Sequence, residues 1–350
     1  MTLAPLAHSG SDVPMHSPEL SIIIVNWKSQ AFVRQCLASL FYDDNTVDFE
    51  VLVVDNASFD GVAEMLASEF PQVVFLQCEH NVGFAAANNL AFARSRGRYI
   101  LFLNPDTEVE GQALLTLVSA LDLLPDAGMV GARLLNSDRS LQTTCITSAP
   151  AILNQTLNCD LLRNTFPRWK LWGMRALFSG SRSPVPVEAI SGACMLARRS
   201  VLEQVGVFST DYFMYAEDMD LCVKIARAGW TIYYVSDATV IHHAGGSSSL
   251  RRESNFSSIM VRQSLVRFFV RHRGRPYAAL YRMTLVLASA VRMLLLAVAF
   301  PFLLLQRGFP LAAQPLQKWF RIFLWSLGLT PWAAHRPLAP SACSLPEVRT

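Results

Sequence analysis

Charge is scarce in this chain. Asp, Glu, Lys and Arg make up 16% of its 350 residues while apolar residues reach 52%; about a quarter charged is usual for a soluble domain. The apolar excess must fill a large core or meet lipid. Acids are scarcer still towards the end: residues 251–350 hold 14 Lys and Arg against 2 acids, whereas residues 1–250 hold 16 against 25. The net +3 is therefore +12 set against −9, as expected if one part faces a cation or neutral ligand and the other an anionic surface. The usual backbone cradles for pyrophosphate are missing, with no G-x-G-x-x-G after the first apolar run and no G-x-x-x-x-G-K-[ST] anywhere. No C-x-x-C occurs, and the seven cysteines are an odd number. That pattern argues against a zinc site or disulfide framework and for reduced, buried thiols of a cytosolic compartment. Residues 1–19 lack a basic start and an apolar core, so they are expected to be a loose tail rather than a secretory signal.

What is present alternates. "SIIIVN", "FEVLVVDN", "VVFLQC" and "YILFLN" are strand-like runs separated by helical patterns, including Phe32, Val33, Cys36, Leu37 and Leu40 on one stripe. Continuous β-branched runs between helices predict an α/β fold with a mostly parallel sheet buried on both faces. Residues 135–186 are less regular and read as an insertion. "VEAISGACMLARR" predicts another strand, "AEDMDLCVKIARA" a helix ending at Gly229, and "WTIYYV" and "ATVIHH" two further strand pieces.

Polar residues recur at the carboxyl ends of these runs: Asn26, Asp55 and Asn56, Asn81, then Asn104 and Asp106. Open α/β sheets bind ligands along that edge. A divalent cation, Mg²⁺ or Mn²⁺, held by Asp106 and His242 would substitute for the missing phosphate cradle. Taken singly, Asp106 also reads as a cap for the next helix, and His242 as a satisfied interior histidine. Glu217, Asp218 and Asp220 open a helix after three aromatics. The macrodipole favours acids there, and an apolar pocket mouth suits a general base; the residues by themselves leave both readings open.

Together these segments resemble glycosyltransferase family 2, in particular its bacterial rhamnosyltransferase-like branch. "SIIIVNW", "VVDNASFDG", "FPQVVFLQCEHNVGFAAANN", "YILFLNPDT", "SGACMLARR", "VGVFSTDYFMYAEDMDLCVKIARAGW" and "ATVIHHAGGSSS" follow the family order across residues 20–250. The resemblance implies a GT-A, Rossmann-like fold and an inverting, metal-dependent transfer from a nucleotide diphosphate sugar, with rhamnose from a dTDP donor as the expected sugar. It implies that Asp55 reads the nucleobase near Asn26 and Trp27, that Asn81, Gly83 and Asn89 help hold the donor, and that Gly192 lies by the sugar pocket. Asp106 and His242 become the metal ligands and Asp218 the general base, with Glu217 the second choice. Asn104 stands where the family's D-x-D has its first carboxylate, and Lys28 where Asn is more usual. These departures support the alternative, an inactive nucleotide-sugar-binding or scaffold subunit. A sugar nucleotidyltransferase is disfavoured because its basic glycine-rich loop is absent.

Residues 251–282 form a basic segment with eight arginines and one acid. Apolar helices are expected over 283–332, and a tail over 333–350. The run 283–305 has one charge, Arg292, and is long enough to cross a bilayer; an interfacial helix or a re-entrant hairpin bent at Pro301 fits equally. An ordinary core helix pair is the alternative. Arginines beside an apolar run predict the cytoplasmic face of an anionic inner membrane. A glycan or polyprenyl-lipid-linked acceptor for surface polysaccharide is expected there. No nucleic-acid motif accompanies the basic cluster, so nucleic acid is not an expected partner.

Overall fold

The computed structural model describes residues 17–41, 47–178, 184–243, 255–330 and 343–344. Most of the expected terminal tails, the "AGGSSS" segment, Arg251 and Arg252 lie outside the described residues. The first strand-like run becomes β1 (Leu20–Asn26), buried along its whole length. It is followed by α1 (Gln30–Phe41), β2 (Phe49–Asp55), α2 (Val62–Glu69), β3 (Val74–Cys78), α3 (Phe84–Phe92) and β4 (Tyr99–Leu103). These strands pair parallel in the order β3-β2-β1-β4, as continuous apolar runs require. On α1 the buried stripe is Val33, Cys36, Leu37 and Leu40, while Phe32 turns towards the ring of His243.

Beyond β4 the sheet is mixed rather than parallel. The chain continues through β5 (Thr107–Val109), α4 (Ala113–Leu123), β6 (Ala127–Leu135), β7 (Ile146–Thr147), α5 (Ile152–Leu157), α6 (Asp160–Thr165), two 3-10 turns, β8 (Val185–Val187), β9 (Ala189–Ile190), β10 (Cys194–Arg198), α7 (Arg199–Val205), α8 (Glu217–Arg227) and β11 (Thr231–His242). β10 runs antiparallel to both β4 and β6, and β6 is parallel to β11. A strand buried on both faces reads as the same apolar run in either direction, so this reversal is silent in the sequence. "VEAISGACMLARR" is broken at 191–193 rather than continuous, and "WTIYYV" and "ATVIHH" form one strand with an irregularity between Val235 and Thr239.

Burial pushes the thiols of Cys36, Cys194 and Cys222 up to about 12 and that of Cys145 up to about 11, which makes them inert. Cys78 departs from the all-reduced expectation: it is disulfide-bonded. Its strand carries β12 (Cys343–Ser344) on the sheet edge.

After β11 come α9 (Asn255–Arg273) and the 52-residue α10 (Arg275–Ser326). In a straight helix Arg282 and Trp325 would lie about 65 Å apart. Instead Arg282 Nη2 donates to the carbonyls of Trp325 at 3.1 Å and Ser326 at 3.2 Å. Arg292 lies 4.3 Å over the Trp319 ring, and the rings of Phe300 and Phe309 are 6.2 Å apart. These pairs define an antiparallel hairpin that reverses between Phe300 and Phe309, where the sequence carries Pro301 and Gly308. Leu280, Met283, Leu287, Val291, Leu294 and Val298 form an exposed stripe at helical spacing. Arg292 Nη2 donates to the Thr156 carbonyl of α5 at 2.7 Å, so the charge in the apolar run meets protein.

Several arginines of the basic segment find partners within the chain. Arg267 and Arg271 hold Asp211, Arg262 stacks over Trp319 and Arg273 over Tyr277. Part of the sequence's charge split is thus settled within the molecule.

Spin labels at the exposed positions 287 and 320 test the hairpin. It predicts a separation of about 10–25 Å from helices packed 8–10 Å apart; a straight helix gives about 50 Å.

Candidate active site

The first corner of the candidate site is built at the tips of β1 and β2, where Asn26 and Asp55 are register partners. Asn26 Nδ2 donates to Asp55 Oδ1 at 2.9 Å and to Asp60 Oδ1 at 3.1 Å, while its Oδ1 accepts from the Ser29 hydroxyl at 2.8 Å. Asp55 is fully buried and also accepts from the Ser58 and Phe59 amides and, at 2.9 Å, from Gln77 Nε2. A carboxylate so engaged shapes the 56–61 loop. The structure therefore places Asp55 as the organiser of this corner. Trp27 and the exposed Lys28 border it, with Lys28 and Ala57 in the left-handed region.

Asn81 Oδ1 accepts from Asn56 Nδ2 at 3.0 Å and the Gly83 amide at 2.9 Å. Gly83, at φ +85°, lies so close to Phe213 that a Cβ would sit 2.6 Å from the Phe213 carbonyl oxygen. Only glycine fits, and the contact lets the Phe84 amide donate to that oxygen. Asn89, expected to help hold the donor, bonds the chain itself in this structure. Its amide donates to the Phe208 carbonyl at 2.8 Å and accepts from the Phe208 amide at 3.0 Å, clasping α3 to the segment before α8.

The metal candidates meet at the end of β4. Asp106 is buried, its Oδ1 3.5 Å from His242 Nε2. It precedes β5, not a helix, so it is not a helix cap. His242 Nδ1 lies 2.8 Å from Gln142 Oε1, and Gln142 Nε2 donates to Asn136 Oδ1 at 3.0 Å. That orientation makes Nδ1 the protonated nitrogen and turns the Nε2 lone pair towards Asp106. Asn104 Nδ2, 3.4 Å from Nε2, agrees with this tautomer. One carboxylate and one imidazole nitrogen 3.5 Å apart can share an ion that sits about 2.0–2.1 Å from its ligands and takes the rest from phosphate and water. Among the described residues no cluster of three or more His, Cys, Asp or Glu offers a closed protein cage. The donor set fits a substrate-completed cation. Gln142 was missed in the sequence because it sits in the irregular insertion, with no periodic signal around it.

The acidic pair opens α8. Tyr215 and Ala216 both take positive φ, a strained entry that turns the chain into the helix. Asp218 Oδ2 accepts from the Gly192 amide at 3.1 Å and Oδ1 from the Met219 amide at 2.8 Å. A side chain on residue 192 would lie 3.3 Å from Asp218 Cβ. Burial raises the Asp218 carboxyl above its ordinary value, against those two amides. Burial and then the Asp218 charge push Glu217 up to about 8, and its Oε2 has no hydrogen-bond partner among the described residues. Asp218 and Asp106 share one edge of the sheet: Gly192, which holds Asp218, adjoins Ala193, whose carbonyl accepts from the Asn104 amide at 3.0 Å.

Asp220, the third acid, is structural. It accepts from Ser209 at 2.6 Å, Tyr212 at 3.2 Å and His272 Nε2 at 2.7 Å. Burial pushes it up, but His272, Ser209, Lys224 and Arg271 outweigh burial and hold it below the usual range. Arg227 can only donate, so His272 Nδ1 accepts at 2.9 Å and Nε2–H faces Asp220. Ser264 holds the Met214 carbonyl at 2.8 Å. Helix α9 therefore braces the loop that carries the base candidate.

A wound mixed sheet with a carboxylate and an imidazole paired at one strand tip and buried carboxylates near the same edge is the layout of a GT-A glycosyltransferase. The sequence model for Glycosyl transferase family 2 matches residues 21–206, over half the chain, and the chain belongs to that family. Over 243 residues it is 29% identical to the N-acetylglucosaminyl-diphospho-decaprenol L-rhamnosyltransferase of Mycobacterium tuberculosis, covering 65% of this chain and 77% of that protein. The rhamnosyltransferase WbbL of Escherichia coli K12 is 25% identical over 232 residues, 64% of this chain and 83% of that one. Among solved structures, mannosyltransferase PcManGT from Pyrobaculum calidifontis, in complex with GDP-Man and Mn²⁺, shares the fold with a TM-score of 0.52. Its identity is 20%, over 90% of this chain and 87% of that one.

Two outcomes follow from this geometry. Gln142→Leu frees the His242 ring and should lower Mn²⁺ affinity roughly 10–100-fold, read by calorimetry; unchanged affinity contradicts the tautomer assignment. Glu217 keeps a proton in the folded chain that the unfolded chain releases near 4.5, so its stabilising contribution is lost as pH rises from 4.5 towards about 8. Glu217→Gln should raise the melting temperature more at about pH 8 than at about pH 5; an equal shift at both would count against a buried, proton-holding acid.

Proposed function

We propose that this glycosyltransferase moves rhamnose from a dTDP donor, with inversion, to a lipid-linked glycan acceptor in surface polysaccharide synthesis at the cytoplasmic face of the inner membrane. The observation that carries the mechanism is the single sheet edge on which the Asp106–His242 pair and Asp218 lie, joined through the Asn104–Ala193 hydrogen bond. The names of the two bacterial relatives support the sugar, and the mycobacterial one supports a polyprenyl-linked acceptor.

In this reading the Asn26–Asp55 corner and the Asn81–Gly83 turn border the nucleotide, with Asp55 acting through the loop it shapes. Asp106 and His242 hold the divalent ion, which when bound supplies Lewis-acid stabilisation to the diphosphate. Asn104, in place of a carboxylate, steadies His242. Asp218 takes the proton from the acceptor hydroxyl. Its two backbone donors fix the carboxylate's aim, and burial raises its basicity. Gly192 leaves the space beside Asp218 open to a sugar. Glu217, protonated up to about pH 8, is the weaker base below that pH. Attack by the activated hydroxyl on the face opposite the diphosphate inverts the anomeric carbon without a covalent intermediate. The exposed hairpin stripe rests on the membrane that carries the acceptor.

Asp106→Ala should abolish metal-dependent donor binding, whereas Asp218→Asn should spare binding and cut turnover by roughly 10²–10⁴-fold. Calorimetry with dTDP-rhamnose, with and without Mn²⁺ and after chelation, separates the two. Metal-independent donor affinity, or full turnover in Asp218→Asn, contradicts the assignment.

A further inference from the structure

The unit from α5 through the 3-10 turns buries Trp172 and Met174 but leaves several large apolar side chains in the open. A short helical unit on a water-soluble enzyme turns apolar side chains inward and polar ones outward. Here Leu153, Leu161, Phe166 and Trp169 are exposed, Leu161 at 75%. Asn154 is buried, and with Gln155, Arg163, Ser148 and Trp172 it lines a partly open pocket on the other side. Phe166 and Trp169 are stacked, their centroids 4.3 Å apart with 10° between planes. The Trp172 indole donates to the Phe166 carbonyl at 3.0 Å, which fixes that platform in place. Around it Arg168, Lys170 and Arg175 are exposed, and residues 151–178 hold four basic residues against one acid. Exposed leucines, aromatics and a basic rim are the composition of a surface seated at a lipid–water interface.

The unit is also clamped to the hairpin. The Ile152 amide donates to Tyr277 OH at 3.1 Å, Arg292 holds the Thr156 carbonyl, and Ile152 packs on the cluster containing Tyr281 and Leu285. On its other side Thr147 Oγ1 reaches Met219 Sδ at 3.5 Å, one residue from Asp218.

We infer that residues 152–178 are a second bilayer-contacting element, which sits in the headgroup region of an anionic phospholipid membrane beside the hairpin and turns the acceptor side of Asp218 to the lipid surface. This rests on the membrane reading of the hairpin and extends it to a segment distant in sequence. Two attachments fix the enzyme's rotation on the surface, which one hairpin leaves open. A lipid-anchored acceptor then approaches the base from the bilayer side.

The test uses the full-length chain with an environment-sensitive fluorescent amino acid at position 161, 298 or 123. Vesicles of phosphatidylglycerol and phosphatidylethanolamine carry brominated acyl chains as quencher. Probes at 161 and 298 should lose roughly half of their fluorescence or more, and the probe at Leu123, exposed on α4, should be unchanged. Phosphatidylcholine vesicles should quench position 161 less. Quenching at 298 without quenching at 161 overturns this inference and leaves the hairpin reading intact. No quenching at either position overturns both. Shielding of 161 by self-association of the chain without vesicles, seen by light scattering, assigns the face to a second copy and also overturns it.

Discussion

Because β10 runs against β4, the start of one strand meets the end of the other, and a single hydrogen bond from the Asn104 amide to the Ala193 carbonyl joins them. The candidate metal pair and the candidate base of the proposed mechanism flank that join. Two residues along from Asn104 is Asp106, and one residue back from Ala193 is Gly192, which holds Asp218. Had β10 been parallel to β4, its start would lie at the opposite edge of the sheet, far from the strand tips that carry Asn26 and Asp55. The reversal brings Asp106 and the Gly192 amide that holds Asp218, from segments more than eighty residues apart in sequence, to the same edge of the sheet.

Burying carboxylates at the start of α8 is unfavourable unless donors surround them. The chain supplies these unequally. Asp220 is saturated by Ser209, Tyr212 and His272, and serves to hold α8 against α9. Asp218 has two backbone donors, while Glu217 stays protonated instead of ionising. The positive φ of Tyr215 and Ala216 is tolerated because Phe213 and Met214 are tied by Phe84 and Ser264. Helix α9, in the basic segment, therefore braces the chain that leads into α8. The apolar hairpin grows directly from α9.

The parallel half of the sheet was legible because each strand is a continuous apolar run closed by a polar residue. Asn26, Asp55, Asn104 and Asp106 stood out for that reason. The mixed half was not legible, since burial on both faces erases strand direction. The clasp of Asn89 on Phe208 left no local signal, because an amide suits a backbone partner as well as a sugar and only the folded chain brings Phe208 beside it. Gln142 and His272 could not have been found, as their roles depend on which imidazole nitrogen a distant partner engages. The charge split pointed to anionic lipid and gave no sign that Arg267 and Arg271 also pair with Asp211 and Asp220 of the same chain. The apolar run was plain, but its folding back at Pro301 rests on pairings such as Arg282 with Trp325 that no local pattern records.

If the cation and the Asp218 base are two walls of one sugar site, anomalous diffraction from crystals grown with Mn²⁺ and a non-hydrolysable dTDP-sugar tests it most directly. The expected result is a manganese peak bonded to both Asp106 and His242 Nε2, with the anomeric carbon lying between the diphosphate and the Asp218 carboxylate. A metal peak elsewhere, or a donor sugar turned away from Asp218, would contradict it.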